Sequence, residues 1–569
     1  MPTLDISNFN IVVSVLGGWI SLFGLVSYLL KENFYLSEAL ISLLAGITFG
    51  PRALNWVRPL EYAGSVDNLN DVTLFFTRLV LGVQLVLAGI QLPSHYLRRE
   101  WKPLALLLGP VMTAMWLITG LLVWALVPHL PFLHALAIGA CVTPTDPVLS
   151  NVIVKGKFAD HNVPKDLQKI IIAESGANDG LGYPFLFLAL YLIKYIGDGG
   201  ASESGGGGLA VGLWFGETWG YTIILSVIYG AVVGWLSKRL LYYCEKHKFV
   251  DRESFLVFAL SLALFITGTC GLIGSDDILA CFIAGNVFTW DDWFRLQTVD
   301  DSLQPTIDML LNVVIFMWYG AVCPWNSFVD NNVISISRLI PLGLLILLLR
   351  RPPLILGLYK KIPQVDGISQ ATFMGFFGPI GCSAVFYLYI TVNFVRTLNP
   401  GGGAVPREDV ANLEEAVNVI VWFMVITSVV VHGLSIPLGK LGFLLPRTIS
   451  RSLSISRSIS VERPPFQINN LVNDVRSRRS RSRNRTSGRP SDSPNTSVGR
   501  AFRIGGAVIA LKEPTQQPQS PQAGDGLGVA SSSTGGESQP VTQPPAAPYR
   551  TVRFPDERVP DSGQQQFEV

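Results

Sequence analysis

A chain of 569 residues that is 49% hydrophobic and only 15% charged, with a mean hydropathy of +0.40, is too apolar for a soluble multidomain protein of its length. Its net charge of +2 carries little information, because in a membrane protein what matters is where Lys and Arg fall. Cys141, Cys244, Cys270, Cys281, Cys323 and Cys382 are scattered through apolar segments without metal-ligand or disulfide spacing, which excludes a disulfide scaffold and leaves them as small buried residues.

Taken in order, apolar runs long enough to cross a bilayer lie near 11–30, 36–56, 72–92, 104–127, 132–153, 167–196, 219–241, 253–273, 276–290, 307–323, 338–359, 370–394 and 412–440. The reading is an all-α polytopic membrane protein of about thirteen spans. Met1 to Asn10 has no basic n-region or cleavage site, so the first run is expected to stay as a span. Loops on the side of the C-terminal tail carry Lys31, Arg98, Arg99, Lys102, Lys155, Lys157, Lys165, Lys169, Lys238, Arg239, Lys246, Lys248, Arg252, Arg295, Lys360 and Lys361. The opposite loops carry only Arg52, Arg58, Lys194, Arg338, Arg396 and Arg407, so the C-terminus is expected in the cytosol and the N-terminus outside.

The chain repeats itself. Ser37-Glu38-Ala39-Leu40 through Ala45-Gly46 to Phe49 aligns with Asp276-Asp277-Ile278-Leu279 through Ala284-Gly285 to Phe288, pairing the second span with the ninth. The fifth and twelfth are both interrupted, by Thr143-Pro144-Thr145-Asp146-Pro147 and by Phe377-Gly378-Pro379-Ile380-Gly381. Glu174 with Asn178 in the sixth has an echo in Glu414 with Asn418 in the thirteenth. An odd displacement of seven spans reverses the second copy, which predicts two inverted six-span repeats, about 11–196 and 253–440, around a linker span at 219–241. These make up a transmembrane domain over 1–445. Beyond it, 446–569 is rich in Ser, Arg, Pro, Gln and Gly and is expected to be a disordered cytosolic tail. Its Arg-Ser run from Arg476 to Arg485 suits anionic lipid better than nucleic acid, and Arg447 to Ser450 and Arg457 to Ser460 look like basophilic kinase sites.

The chemistry concentrates in the sixth span. A carboxylate at mid-bilayer depth costs about 2.5–3.5 kcal/mol even on insertion scales, so Asp179 and Glu174 must face a cavity, a partner or a transported ion. Ser175 and Asp179 share one helix face, while Glu174 and Asn178 share another about 100° away. One face can hold a cation and the other can be tied down. Pro144 and Pro147 unwind the fifth span around Thr145 and Asp146, and Gly378-Pro379 breaks the twelfth. Unwound backbone at that depth is tolerated only where it is buried in protein or lines a cavity. If the two breaks cross, Asp146 would balance positive helix ends. Arg350 and Arg351 need an anion, and Glu174 is the best candidate for one of them; the alternative is that both snorkel to the interface. Asp276 and Asp277 either line a mouth or cap the ninth helix, and His432 is either a packed polar residue or a relay.

Thr145-Asp146-Pro147 followed by Glu174-Ser175-Gly176-Ala177-Asn178-Asp179 resembles the monovalent cation:proton antiporter superfamily, on its electroneutral Asn-Asp side. Ala140 to Leu149 and Gly274-Ser275-Asp276-Asp277 are most similar to fungal plasma-membrane alkali-metal cation/proton antiporters, over about residues 10–445. The resemblance implies that Asp179 carries Na⁺, Li⁺ or K⁺ in competition with H⁺, that Ser175 and the Thr145 backbone help coordinate it, and that Asn178, Glu174 and Arg351 stabilise the core. It also implies a homodimer with a moving core domain. No cofactor is called for, and Ser175 has no histidine beside it that would make a hydrolase. Other readings are a Na⁺-coupled organic-anion symporter of similar fold and a membrane sensor or scaffold acting through its tail.

Overall fold

The computed structural model describes residues 7–30, 36–154, 162–196, 205–398, 408–457, 501–504 and 507–510. Residues 1–461 and 462–569 are separate units, and each is described by itself. In the first, all thirteen apolar runs are helical, and nine of the described helices are long and apolar enough to cross a membrane: Asn8–Tyr28, Val66–Gln91, Trp101–Leu126, Lys165–Ile196, Gly206–Lys246, Arg252–Ile273, Leu303–Val322, Ile336–Lys361 and Asn412–Ser435. These are the first, third, fourth, sixth, seventh, eighth, tenth, eleventh and thirteenth spans.

The other four are the ones that the repeat pairs. The second and ninth are short helices of 12 residues, Glu38–Phe49 and Asp277–Phe288, with Ser37 and Asp276 at the equivalent N-caps. The second is shorter than its apolar run because the helix stops at Gly50, just ahead of Pro51, where the helical conformation is disfavoured. The fifth span is split into Phe132–Cys141 and Pro147–Val154, and the twelfth into Ile368–Phe376 and Cys382–Thr397. The two breaks align residue for residue, Pro144 with Pro379 and Asp146 with Gly381. The fold is two inverted six-helix repeats with crossed discontinuous helices.

Small residues let the paired spans approach to backbone contact, as they must where no water drives helices together. Gly46 of the second span faces the Met317 carbonyl of the tenth, and the equivalent Gly285 of the ninth faces the Val86 carbonyl of the third. The contacts are reciprocal, since Gly320 of the tenth lies on the Leu43 carbonyl and Gly89 of the third lies 2.6 Å, measured from an added Cβ, from the Phe282 carbonyl. Leu43 and Phe282 are themselves equivalent positions. Gly230 and Gly234 of the seventh span sit in the same way on Ala280 and Ala284.

The echo of Glu174 at Glu414 does not extend to the centre. Glu414 is half-buried and pairs with Arg396 at 3.0 Å, and the counterpart of the sixth-span contacts lies 14 residues further along the thirteenth, about four turns on, at Ser428. The last helix runs on to Arg457, past the change of composition after Leu445. In the second unit, strands β1 (Ala501–Ile504) and β2 (Ala507–Ala510) pair antiparallel with Ala501 opposite Ala510. The basic run 476–485, Ser458 and Ser460, linker residues 197–204, and Lys31, Lys155, Lys157 and Arg407 lie outside the described residues.

Replacing Gly285 by Leu forces the third and ninth spans apart, an overpacking penalty of about 1–3 kcal/mol. The melting midpoint of the detergent-solubilised protein should fall, whereas Gly268→Ala, where an added Cβ meets nothing within 4 Å, should leave it unchanged.

Candidate functional site: the crossing of two broken helices

Pro144 and Pro147 offer no N–H, so the fifth span cannot continue its hydrogen-bond ladder beyond Cys141 and resumes with Pro147 at its first turn, where a missing donor costs nothing. The twelfth stops at Phe376, ahead of Gly378-Pro379. The extended segments cross and bond directly, with Asp146 N–H donating to the Pro379 carbonyl at 3.0 Å. Each break also takes a side-chain acceptor from the following span. Thr145 N–H donates to Asn178 Oδ1 at 3.2 Å and Ile380 N–H to Ser428 Oγ at 2.8 Å.

Four half-helix ends meet here, each carrying about half an elementary charge. The two N-terminal ends converge on Asp146, whose carboxylate takes the Leu149 N–H at 3.3 Å and also faces the backbone N–H groups of Val148, Cys382 and Ser383. Gly381, the position equivalent to Asp146, has no side chain because the Asp146 carboxylate occupies that space. The two C-terminal ends converge on Arg350, whose guanidinium donates to the Val142 and Gly378 carbonyls. One acid and one base therefore balance all four ends. Both are buried.

The sixth span supplies the rest. Glu174 forms a two-pronged ion pair with Arg351, with Nη2 to Oε2 at 2.8 Å, and Arg351 Nε also donates to the Met374 carbonyl at 3.1 Å. Arg351, not Arg350, is thus the partner of Glu174, and neither arginine reaches the surface. Ser175 Oγ donates to the Thr145 carbonyl at 2.6 Å, and Asn178 Nδ2 donates to Thr145 Oγ1 at 2.7 Å. Asp179, only 1% exposed, has no hydrogen-bond donor on either carboxylate oxygen among the described residues. Around it stand the Ser383 hydroxyl and the carboxylates of Asp146 and Asp276. Such a carboxyl group, with a hydroxyl near it and no donor on its own oxygens, is chemically able to take up a proton or a cation.

The remaining polar residues are placed differently. Asp276 caps the ninth helix, with Oδ1 accepting the Leu279 N–H at 3.1 Å, while its Oδ2 stands 2.9 Å from where a Cβ on Gly180 would lie. Asp277 pairs with Arg78 of the third span at 2.7 Å. His432 is bound at both nitrogens, Nδ1 to Ser428 and Nε2 to the Phe376 carbonyl at 3.0 Å, which makes it a strut beneath the twelfth-span break.

Comparison with known proteins bears on this geometry. The profile of a family described as sodium/hydrogen exchanger, transmembrane, matches residues 19–438. The chain belongs to the sodium/hydrogen exchanger family. It is 36% identical over 467 residues to the Na⁺/H⁺ antiporter 2 of Zygosaccharomyces rouxii, covering 81% of this chain and 56% of that protein. A Na⁺/H⁺ antiporter of Saccharomyces cerevisiae is 36% identical across 77% of this chain and 44% of its own length. The chain thus spans about half the length of these two relatives, whereas it covers 95% of a Schizosaccharomyces pombe Na⁺/H⁺ antiporter at 30% identity, over 79% of its own length. The sodium proton antiporter of Methanocaldococcus jannaschii shares the fold, with a TM-score of 0.54 at 17% identity over 76% of this chain and 98% of that one.

Three groups around the crossing escaped the sequence. Tyr387 donates its hydroxyl to the Asp179 carbonyl and, at 3.2 Å, to that of Gly180. Ser383 faces Asp179, and Arg78 neutralises Asp277. Arg78 alone carried a legible signal, since a guanidinium inside an apolar run demands a partner.

Removing one member of a fully buried ion pair costs about 3–5 kcal/mol, because the other charge is stranded. Arg351→Met should therefore collapse the melting midpoint of the purified protein, and Glu174→Gln added to it should recover part of the loss.

Proposed function

We propose that the chain is a secondary active antiporter that exchanges cytosolic Na⁺, and Li⁺ or K⁺, for external H⁺ by competition at Asp179. The observation that carries this reading is a buried carboxylate with both oxygens unpartnered, set beside the broken backbone of the fifth span. The names of the relatives from three yeasts agree with it.

Asp179 can be neutralised by a proton or by a cation, and the two exclude each other. The Thr145 carbonyl and the Ser175 hydroxyl, already aligned on one another, supply uncharged oxygens to replace the cation's water. Asn178 stands where a second titrating acid would make the cycle electrogenic, so one H⁺ per cation is the natural ratio; its two bonds to Thr145 keep the carbonyl aimed at the site. With either ligand bound the pocket is neutral and crosses the bilayer cheaply, whereas the empty, charged pocket does not. That difference in barrier couples the fluxes. Asp146 stays charged as counterion of the helix ends, and Glu174 with Arg351 fixes the sixth span. An acid exterior then drives cation efflux at the plasma membrane, serving salt tolerance and pH homeostasis. The protein works as a homodimer with its tail, open to kinases and regulatory proteins, in the cytosol.

In proteoliposomes with a trapped pH dye, Na⁺, Li⁺ or K⁺ should each drive a pH change that choline does not, and Asp179→Asn should abolish it. Where protons and Na⁺ compete, the KM for Na⁺ should rise as pH falls, by up to about tenfold per pH unit. A KM independent of pH would overturn the competition.

A further inference from the structure

Beyond the crossing, three buried or half-buried polar pairs stitch the third span to the tenth. Trp318 Nε1 donates to Thr73 Oγ1 at 3.1 Å, the Thr77 and Tyr319 hydroxyls share a hydrogen bond of 2.8 Å, and Gln84 Nε2 donates to Asn312 Oδ1 at 3.3 Å. All three hold the two spans together, but only the middle one reaches the crossing. The Tyr319 hydroxyl faces the Cys382 thiol, and it is the backbone N–H of Cys382 that faces the Asp146 carboxylate. Thr77 and Tyr319 are both fully buried, and the Tyr319 ring sits edge-on against Trp422 of the thirteenth span, with centroids 5.4 Å apart.

Cys382 is the first residue of the second half of the twelfth span, where the backbone N–H groups of Cys382 and Ser383 face Asp146. The Ser383 side chain faces Asp179. A displacement of this helix start therefore alters the surroundings of both carboxylates together. A hydroxyl pair is excessive for stitching alone, since the flanking pairs already join the same two helices. A phenol has one proton to donate and can also accept, so it can bond Thr77 and still engage a third group.

We propose that Tyr319, oriented by Thr77, is a positioning residue for the transported cation: through Cys382 it holds the start of the second half of the twelfth span in place and so sets how closely the Asp146–Asp179 pocket fits its ion. The inference rests on the reading of Asp179 as the cation site. It assigns a role in cation affinity to the third and tenth spans, which contribute no ligand of their own to that site.

The test uses the full-length protein in proteoliposomes, with KM and maximal rate for Na⁺ measured separately and melting midpoints recorded alongside. Tyr319→Phe and Thr77→Val should each raise the KM about five- to tenfold, the weight of one buried hydrogen bond, while the maximal rate changes less than about twofold. Combined, they should do no more than either alone, because both remove the same contact. Thr77→Ser should restore wild-type behaviour. Thr73→Val, which breaks the neighbouring stitch between the same helices, should leave the KM unchanged. Equal KM effects from Thr73→Val and Thr77→Val would reduce the pair to a structural stitch and overturn the proposal, as would an unchanged KM in folded Tyr319→Phe. A wild type that answers no alkali cation would overturn the antiport reading itself, and the inference with it.

Discussion

Everything in this protein depends on balancing four helix ends in the middle of an apolar slab. Breaking two spans frees carbonyls and N–H groups that lipid cannot satisfy, and each unsatisfied group would cost several kcal/mol. The chain meets this with one acidic and one basic side chain. Asp146 sits at the pair of N-terminal ends and Arg350 at the pair of C-terminal ends. Neither could be buried singly, yet each is matched by about one elementary charge of helix dipole. The crossing is therefore nearly neutral before any ion arrives. What remains without a hydrogen-bond partner is the Asp179 carboxyl group.

The inverted repeat explains why the balance is possible with so few residues. Equivalent breaks cross near the pseudo-symmetry axis and bring like ends together, so one side chain serves both. Side chains break the symmetry at the centre. Asp146 has Gly381 as its counterpart, and the cradle at Gly381 is filled by Asp146 itself. Asn178 supports one break and Ser428 the other. The sixth span carries the unpartnered carboxyl group of Asp179, while the thirteenth places His432 as a strut beneath the twelfth-span break.

The same pairing organises the outer spans. Gly46 with Gly320 and Gly285 with Gly89 make two equivalent backbone crossings, which fix the second, third, ninth and tenth helices as a rigid frame. Against that frame the sixth span presents Gly176 and Gly180, where an added Cβ would meet the Phe282 ring and Leu279. These glycines let the Phe282 ring and Leu279 pack directly on the backbone of the sixth span next to the carboxylate.

The sequence by itself determined the membrane class, the thirteen segments, the repeat and the place of the breaks, because hydropathy, proline and glycine act locally and an apolar run with a central acid has few physical explanations. It also offered Glu174 an ion pair with one of two adjacent arginines, against the alternative that both reach the interface. Only the tertiary structure decided between them, because Arg350 and Arg351 differ in direction and not in chemistry: one points along the broken ends and the other at the sixth span. The same holds for Glu414, whose sequence echo of Glu174 is real while its position is peripheral, and for Tyr319, Ser383 and Tyr387, ordinary residues of apolar helices until packing brings them to the crossing. Periodicity names the face a residue occupies; which helix covers that face is fixed by contacts far apart in the chain.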